Sequence, residues 1–149
     1  MRRIQNHRKL LGVDENVDLK EMKSIYRNLM KECHPDKFQD NHEEKIAAED
    51  RSKKVIAAYH FLVSIAPETI ELTKDEYNTT ISNASIMDYE YKSEILRIVF
   101  SDGNEYEYYG VPKAIYVKLV NAETPARFAR RHIFNEYTYR STSKQVPAQ

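Results

Sequence analysis

His34, Pro35 and Asp36 place an imidazole, a locked backbone torsion and a carboxylate on three consecutive residues. The imidazole donates and accepts, the carboxylate is an anion, and the proline ring fixes their relation. A hydrolytic His/Asp pair would need a nucleophile and an oxyanion loop. The two side chains flank a proline, no motif places a serine or cysteine beside them, and no glycine-rich loop exists. Zinc would need four converging ligands, or three and a water. Cys33, His34 and His42 are close in sequence, but the other histidines (7, 60 and 132) are scattered. The expectation is therefore no catalytic site, no metal and no cofactor. What remains is recognition, a charged tip offered to a partner.

The flanking segments explain how such a tip is held. At 100° per residue, Leu19, Met22, Ile25, Tyr26, Leu29, Met30 and Cys33 fall on one apolar face of a helix. Lys20, Lys23, Arg27 and Lys31 fall in a flanking stripe about 80° wide. Like charges at spacings of three and four repel one another, so helix stability alone does not ask for them. Glu21 and Glu32 sit on the opposite flank and neutralise nothing in the stripe, which favours a surface that steers an acidic partner. Pro35 disfavours helical backbone at His34, so the helix ends there. Asp40 or Asn41 can cap a second helix, with Glu43 and Glu44 in its first turn, running to about Ile65. Its stripe Ala48, Ser52, Val55, Tyr59, Leu62 and Ala66 matches the first helix's apolar face. The expected product is an antiparallel helical hairpin with His34-Pro35-Asp36 at its tip.

These residues, together with Leu11-Gly12-Val13, Tyr26-Arg27-Asn28-Leu29, Lys37 and Ala58-Tyr59-His60-Phe61-Leu62, resemble the J domain of DnaJ-type cochaperones over roughly Ile4 to Ile65. The resemblance implies stimulation of ATP hydrolysis by a DnaK-type heat-shock chaperone. It implies a chaperone-binding surface of Lys20, Lys23, Arg27, Lys31, His34, Pro35, Asp36 and Lys37. There are three departures from the family: polar His7 and Arg8 replace the aromatic before Leu-Gly-Val, Ser52 replaces a core Phe, and Ile56 replaces an Asn.

The 149 residues have room for two small domains, and equal numbers of acids and bases are unevenly spread. Residues 1–66 carry 13 basic and 11 acidic side chains; residues 67–112 carry 3 and 10; residues 113–149 carry 7 and 2. Such segregation argues for interaction surfaces. One cysteine excludes an internal disulfide framework, and no apolar run approaches a membrane span or a signal-peptide core. A soluble cytoplasmic protein without membrane contact is expected.

After Pro67 the sequence turns polar and acidic, and residues 67–84 read as a linker with one helical turn at most. The period then becomes two. Ile86, Asp88 and Glu90 alternate with Met87, Tyr89 and Tyr91 in one strand; Ile95 to Phe100 form a second. Ser101-Asp102-Gly103-Asn104 is a turn, and Glu105 to Tyr109 form a third strand. Pro112 starts a helix with Ile115, Leu119 and Ala122 on its apolar face, and a second helix can follow Thr124-Pro125 through Phe128 and Ile133. Tyr137-Thr138-Tyr139 closes the segment in extended form. The expected fold is a helical hairpin plus a small α+β domain, a three-stranded antiparallel meander with one or two helices. The domains are 1–66, the linker 67–84, 85–143, and a tail 144–149.

From Ile95 to Tyr139 this half resembles the KTSC domain, also seen at the end of some lysyl-tRNA synthetases. The likeness rests on the Leu-x-Ile-x-Phe strand, Gly103, Tyr106-x-Tyr108, Gly110-Val111-Pro112, Ile115-Tyr116, Ala122, Phe128 and Ile133. Thr124-Pro125-Ala126 departs from the family's Ser-x-Gly turn. RNA binding is the suggestion attached to that family. Here Arg127, Arg130 and Arg131, with Lys113, Lys118, Arg140 and Lys144, could contact phosphates, and Tyr106, Tyr108, Tyr137 or Tyr139 could stack bases; the three arginines with Tyr106 and Tyr108 form the candidate ligand or RNA surface. Against that, alternating strand tyrosines usually pack, and Glu105 and Glu107 would repel phosphate. The leading expectation is a J-domain cochaperone whose second module selects a protein client or location. The alternatives are an RNA-binding adapter that recruits the chaperone, and a J-like hairpin that has lost ATPase stimulation.

Overall fold

A computed structural model of the chain describes residues 2–38 and 40–142, and the chain divides into two compact units after Ala66. In the first unit, helix α1 spans Arg2–Leu11, α2 Leu19–Cys33 and α3 His42–Ile65, with a 3-10 turn over Pro35–Phe38. Helix α1 stops at Gly12, whose φ of 72° only glycine adopts without cost. The amides of Gly12 and Val13 reach back to the carbonyls of Lys9 and Arg8 at 3.2 and 3.0 Å, a Schellman closure. Asp18 caps α2, its Oδ1 accepting from the Glu21 amide at 2.7 Å. Of the two candidate caps for α3 the structure uses Asn41, whose Oδ1 accepts from the Glu44 amide at 3.1 Å.

Helix α3 packs against both α1 and α2. The six-residue stripe expected on it is buried throughout, and Ala58, Phe61 and Val63 are buried as well. Tyr59 stacks on Tyr26 of α2 at 4.0 Å, and Phe61 stacks on His7 of α1 at 4.4 Å. His7 thus supplies a flat ring where the family has an aromatic. Ser52, standing for a core Phe, is buried with its hydroxyl returned to the Glu49 carbonyl at 3.0 Å, which satisfies it inside the helix.

The second unit corrects the sequence reading in three places. Residues 67–84 are not a linker: α4 spans Pro67–Leu72 and α5 spans Lys74–Asn83. Only Tyr77, Thr80 and Ile81 of α5 turn inward, a stripe too narrow to stand out in so polar a segment, and Tyr77 is 2% exposed. The sheet also has four strands, β1 (Ile86–Lys92), β2 (Ile95–Phe100), β3 (Glu105–Tyr109) and β4 (Thr138–Ser141), antiparallel in the order β1-β2-β3-β4. The extended segment at Tyr137-Thr138-Tyr139 supplies the fourth, because Tyr139 finds an apolar seat stacked on Tyr77 at 4.0 Å. Third, Ile86 and Asp88 oppose the consecutive residues Phe100 and Val99, so Met87 is the extra residue of a bulge. The bulge resets the alternation: Ile86 packs inward with Tyr89 and Tyr91, and Met87 is 67% exposed.

Helices α6 (Lys113–Asn121) and α7 (Pro125–His132) complete the unit. Leu96, Ile98 and Phe100 of β2 and Tyr106 and Tyr108 of β3 meet Leu119, Ala129, Ile133 and Phe134 in one core. Strand β1 ties to the start of α6 by the Tyr91 hydroxyl donating to the Val111 carbonyl at 2.7 Å, and by Tyr91 stacking on Tyr116.

Candidate functional site

The tip of the first unit is built by its flanking elements. Helix α2 ends at Cys33, and His34 takes up extended backbone (φ −67°, ψ 131°). The Lys37 amide donates to the His34 carbonyl at 3.1 Å, which closes the 3-10 turn. The side chains of His34 and Lys37 are exposed, whereas those of Pro35 and Asp36 lie outside the described residues. Cys33 is 2% exposed, and among the described residues no three His, Cys, Asp or Glu side chains converge as metal ligands.

Along α2, Lys20, Arg27 and Lys31 are exposed and Lys23 is half-buried. None of the four is ion-paired among the described residues; Glu32 approaches Arg51 of α3 at 3.9 Å instead. Helix geometry therefore brings four uncompensated cations into one stripe that leads to the turn at His34. A surface of that kind attracts an acidic partner over about a Debye length, ~10 Å in moderate salt.

The five residues proposed for the second unit do not come together. Tyr106 is 3% exposed and Tyr108 fully buried, so neither offers a ring to a ligand. The Tyr77 hydroxyl donates to the Phe134 carbonyl at 2.6 Å, which leaves Tyr108 to donate to Tyr77 across 3.0 Å. Burial pushes the phenols of Tyr106 and Tyr139 up to about 12 and holds those of Tyr77 and Tyr108 well above the usual value. These are structural tyrosines, and a base-stacking platform made of them is absent.

Arg127, Arg130 and Arg131, by contrast, are exposed on α7 and make no ion pair among the described residues. Glu105 and Glu107 lie on the opposite face of β3 from Tyr106 and Tyr108, already matched. Glu90, Arg97, Glu107 and Arg140 stand in register across all four strands as a ladder of alternating charge. Arg97 pairs with Glu90 at 3.1 Å and with Glu105; Arg140 Nε donates to Glu107 Oε1 at 3.1 Å. Beside the end of α7 opens a cleft of about 350 Å³ lined by Ile115, Arg131, His132, Glu136 and Tyr137. Sequence reasoning missed His132, whose only signal was an Arg-Arg-His run at a helix end, and Glu136, which carried none. Their meeting with Ile115 is a product of the fold.

Comparison with known proteins agrees with this division. Residues 6–68 match the DnaJ domain and residues 82–137 the KTSC domain. The chain carries a J domain followed by a KTSC domain. Over 58 residues the chain is 38% identical to "Chaperone protein DnaJ" of Thermoplasma volcanium, covering 39% of this chain and 15% of that protein. Over 63 residues it is 38% identical to "Co-chaperone protein DjlA" of Vibrio vulnificus, covering 40% of this chain and 22% of the relative. The chain thus spans less than a quarter of the length of these curated relatives. The KTSC match begins at residue 82, yet Tyr77 and Ile81 of α5 belong to that domain's core. No helix among the described residues is long and apolar enough to cross a membrane.

Proposed function

We propose that this chain is a cochaperone that stimulates ATP hydrolysis by a DnaK-type heat-shock chaperone and directs that chaperone through its KTSC domain. The observation that carries the reading is the stripe Lys20, Lys23, Arg27 and Lys31, three of them exposed and none ion-paired among the described residues, running into the turn at His34. In this reading the stripe steers onto an acidic surface of the chaperone, and His34, Pro35, Asp36 and Lys37 make the docked contact. The chain's own role is to bias the chaperone's hydrolytic step, with no bond made or broken on its own residues. The KTSC domain supplies location or client choice.

Single-turnover ATP hydrolysis by a DnaK-type chaperone from the same cell tests this. The wild-type chain should accelerate it. His34→Gln and Asp36→Asn should each abolish the acceleration while circular dichroism melts stay unchanged, because the His34 side chain is exposed and both substitutions keep side-chain size. Equal acceleration by all three proteins would rule the reading out.

A further inference from the structure

We propose that the outer face of α7 and the cleft at its end form a docking site for an acidic peptide segment of a protein partner. The proposal rests on the reading of the KTSC domain as the targeting half. At 100° per residue Arg127, Arg130 and Arg131 span an arc of about 100° opposite the fully buried Ala129. The core asks only for Ala129 and its flanking Phe128 from this helix. The helix dipole accounts for part of the charge, since Arg130, Arg131 and His132 lie in the last turn, where cations are favoured. It does not account for Arg127, which sits in the first turn, where a cation is disfavoured and no acid is present. Nor does the domain lack means to neutralise arginine, for Arg97 and Arg140 are both matched to glutamates. Among the described residues Arg127, Arg130 and Arg131 have no such match, which leaves them for a ligand.

Arg131 also lines the cleft, so the cationic face and the cavity are continuous. Ile115 and Tyr137 give the cleft apolar wall, His132 a polar rim, and its volume suits one side chain and adjoining backbone. Carboxylates match guanidinium forks along α7, and an apolar side chain fits the cleft. Glu136 in the cleft wall can accept from a peptide N–H, and its charge disfavours a phosphodiester or a carboxylate seated beside it, so an apolar side chain is the better occupant there. The burial of Tyr106 and Tyr108 withdraws two of the rings a single strand would stack on and leaves Tyr137 at the cleft.

The test uses the full chain without any chaperone. Fluorescence anisotropy is read with a synthetic peptide alternating Glu and Leu, its Glu/Ser counterpart, and a mixed-sequence single-stranded RNA. The Glu/Leu peptide should bind at micromolar protein, more tightly than Glu/Ser, and weaken as salt is raised. Replacing Arg127, Arg130 and Arg131 together by Gln should weaken it about tenfold or more. Arg127→Glu gives a second reading that misfolding cannot imitate. An acid in the first turn favours the helix, so the thermal midpoint should hold or rise while binding falls. RNA bound as tightly as the Glu/Leu peptide, no binding of that peptide, or binding untouched by these substitutions would each overturn the proposal. The cochaperone reading is judged separately by ATP hydrolysis, so either can fail alone.

Discussion

Tyr77 shows how much one side chain holds in this protein. Its ring stacks on Tyr139 of β4 and meets Tyr106 of β3 edge-on at 5.0 Å, while its hydroxyl links Phe134 and Tyr108. Tyr77→Phe keeps the ring but removes the donor to the Phe134 carbonyl and the acceptor for Tyr108, leaving two buried polar groups without a partner. The expected cost is about 1–3 kcal/mol, since an orphaned buried group forfeits its hydration with no return. Urea denaturation should show a lower midpoint with an unchanged slope. An unchanged midpoint would mean that water replaces the hydroxyl. The same logic fixes Thr80, which donates to Asp102 at 2.6 Å and ties α5 to the β2–β3 turn. Burial pushes the Asp102 carboxyl up, but hydrogen bonds from Thr80 and Asn104 outweigh it and hold the carboxyl below its usual value.

At the scale of elements, α2 and α5 carry the two consequences that matter. Reversing Lys20, Arg27 or Lys31 to Glu should leave the J domain folded, because these positions are exposed. Chaperone association should slow by about tenfold in low salt, with the difference fading in high salt, as expected of steering charges. A loss of thermal stability without slower association would make the stripe structural. Helix α5 makes the opposite case, an element polar by composition that the core needs. A fragment of residues 67–142 should give a cooperative melt and dispersed amide resonances. A fragment of residues 85–142, lacking Tyr77, Thr80 and Ile81, should show neither. If both fold equally well, α5 is an appendage rather than part of the domain.

Across the whole molecule, tyrosine ionisation sets the alkaline limit. Tyr77, Tyr106, Tyr108 and Tyr139 all titrate above the ordinary value of 10.0 because burial disfavours the phenolate. The sign follows from linkage. A phenol whose folded pKa is raised contributes its full stability below pH 10, and that stability drains as pH climbs from there toward the folded values near 12 and above. Four such groups share one core, so the KTSC domain should unfold steeply in that window. Tyrosinate absorbance should rise together with loss of sheet ellipticity. Gradual ionisation with the sheet intact would show that the rings are reached by solvent without unfolding.

Periodicity and spacing in the sequence were enough for the α2–α3 hairpin, the position of its tip, the inward stripe of α3 from Ala48 to Ala66, strands β2 and β3, and helices α6 and α7. In each of these, local pattern and burial agree. A strict period of 3.6 or 2 is what an element with one buried face must show. The tertiary structure alone decided the rest. Helix α5 joins the core through three residues in a polar stretch, and β4 forms because β3 offers an open edge and Tyr77 a seat. Met87 turns outward through a bulge, which breaks a pattern rather than making one. Tyr106 and Tyr108 became core instead of contact surface for the same reason. A tyrosine at strand spacing fits a packed face or a ligand face equally well, and only the helices laid over that face settle which it is.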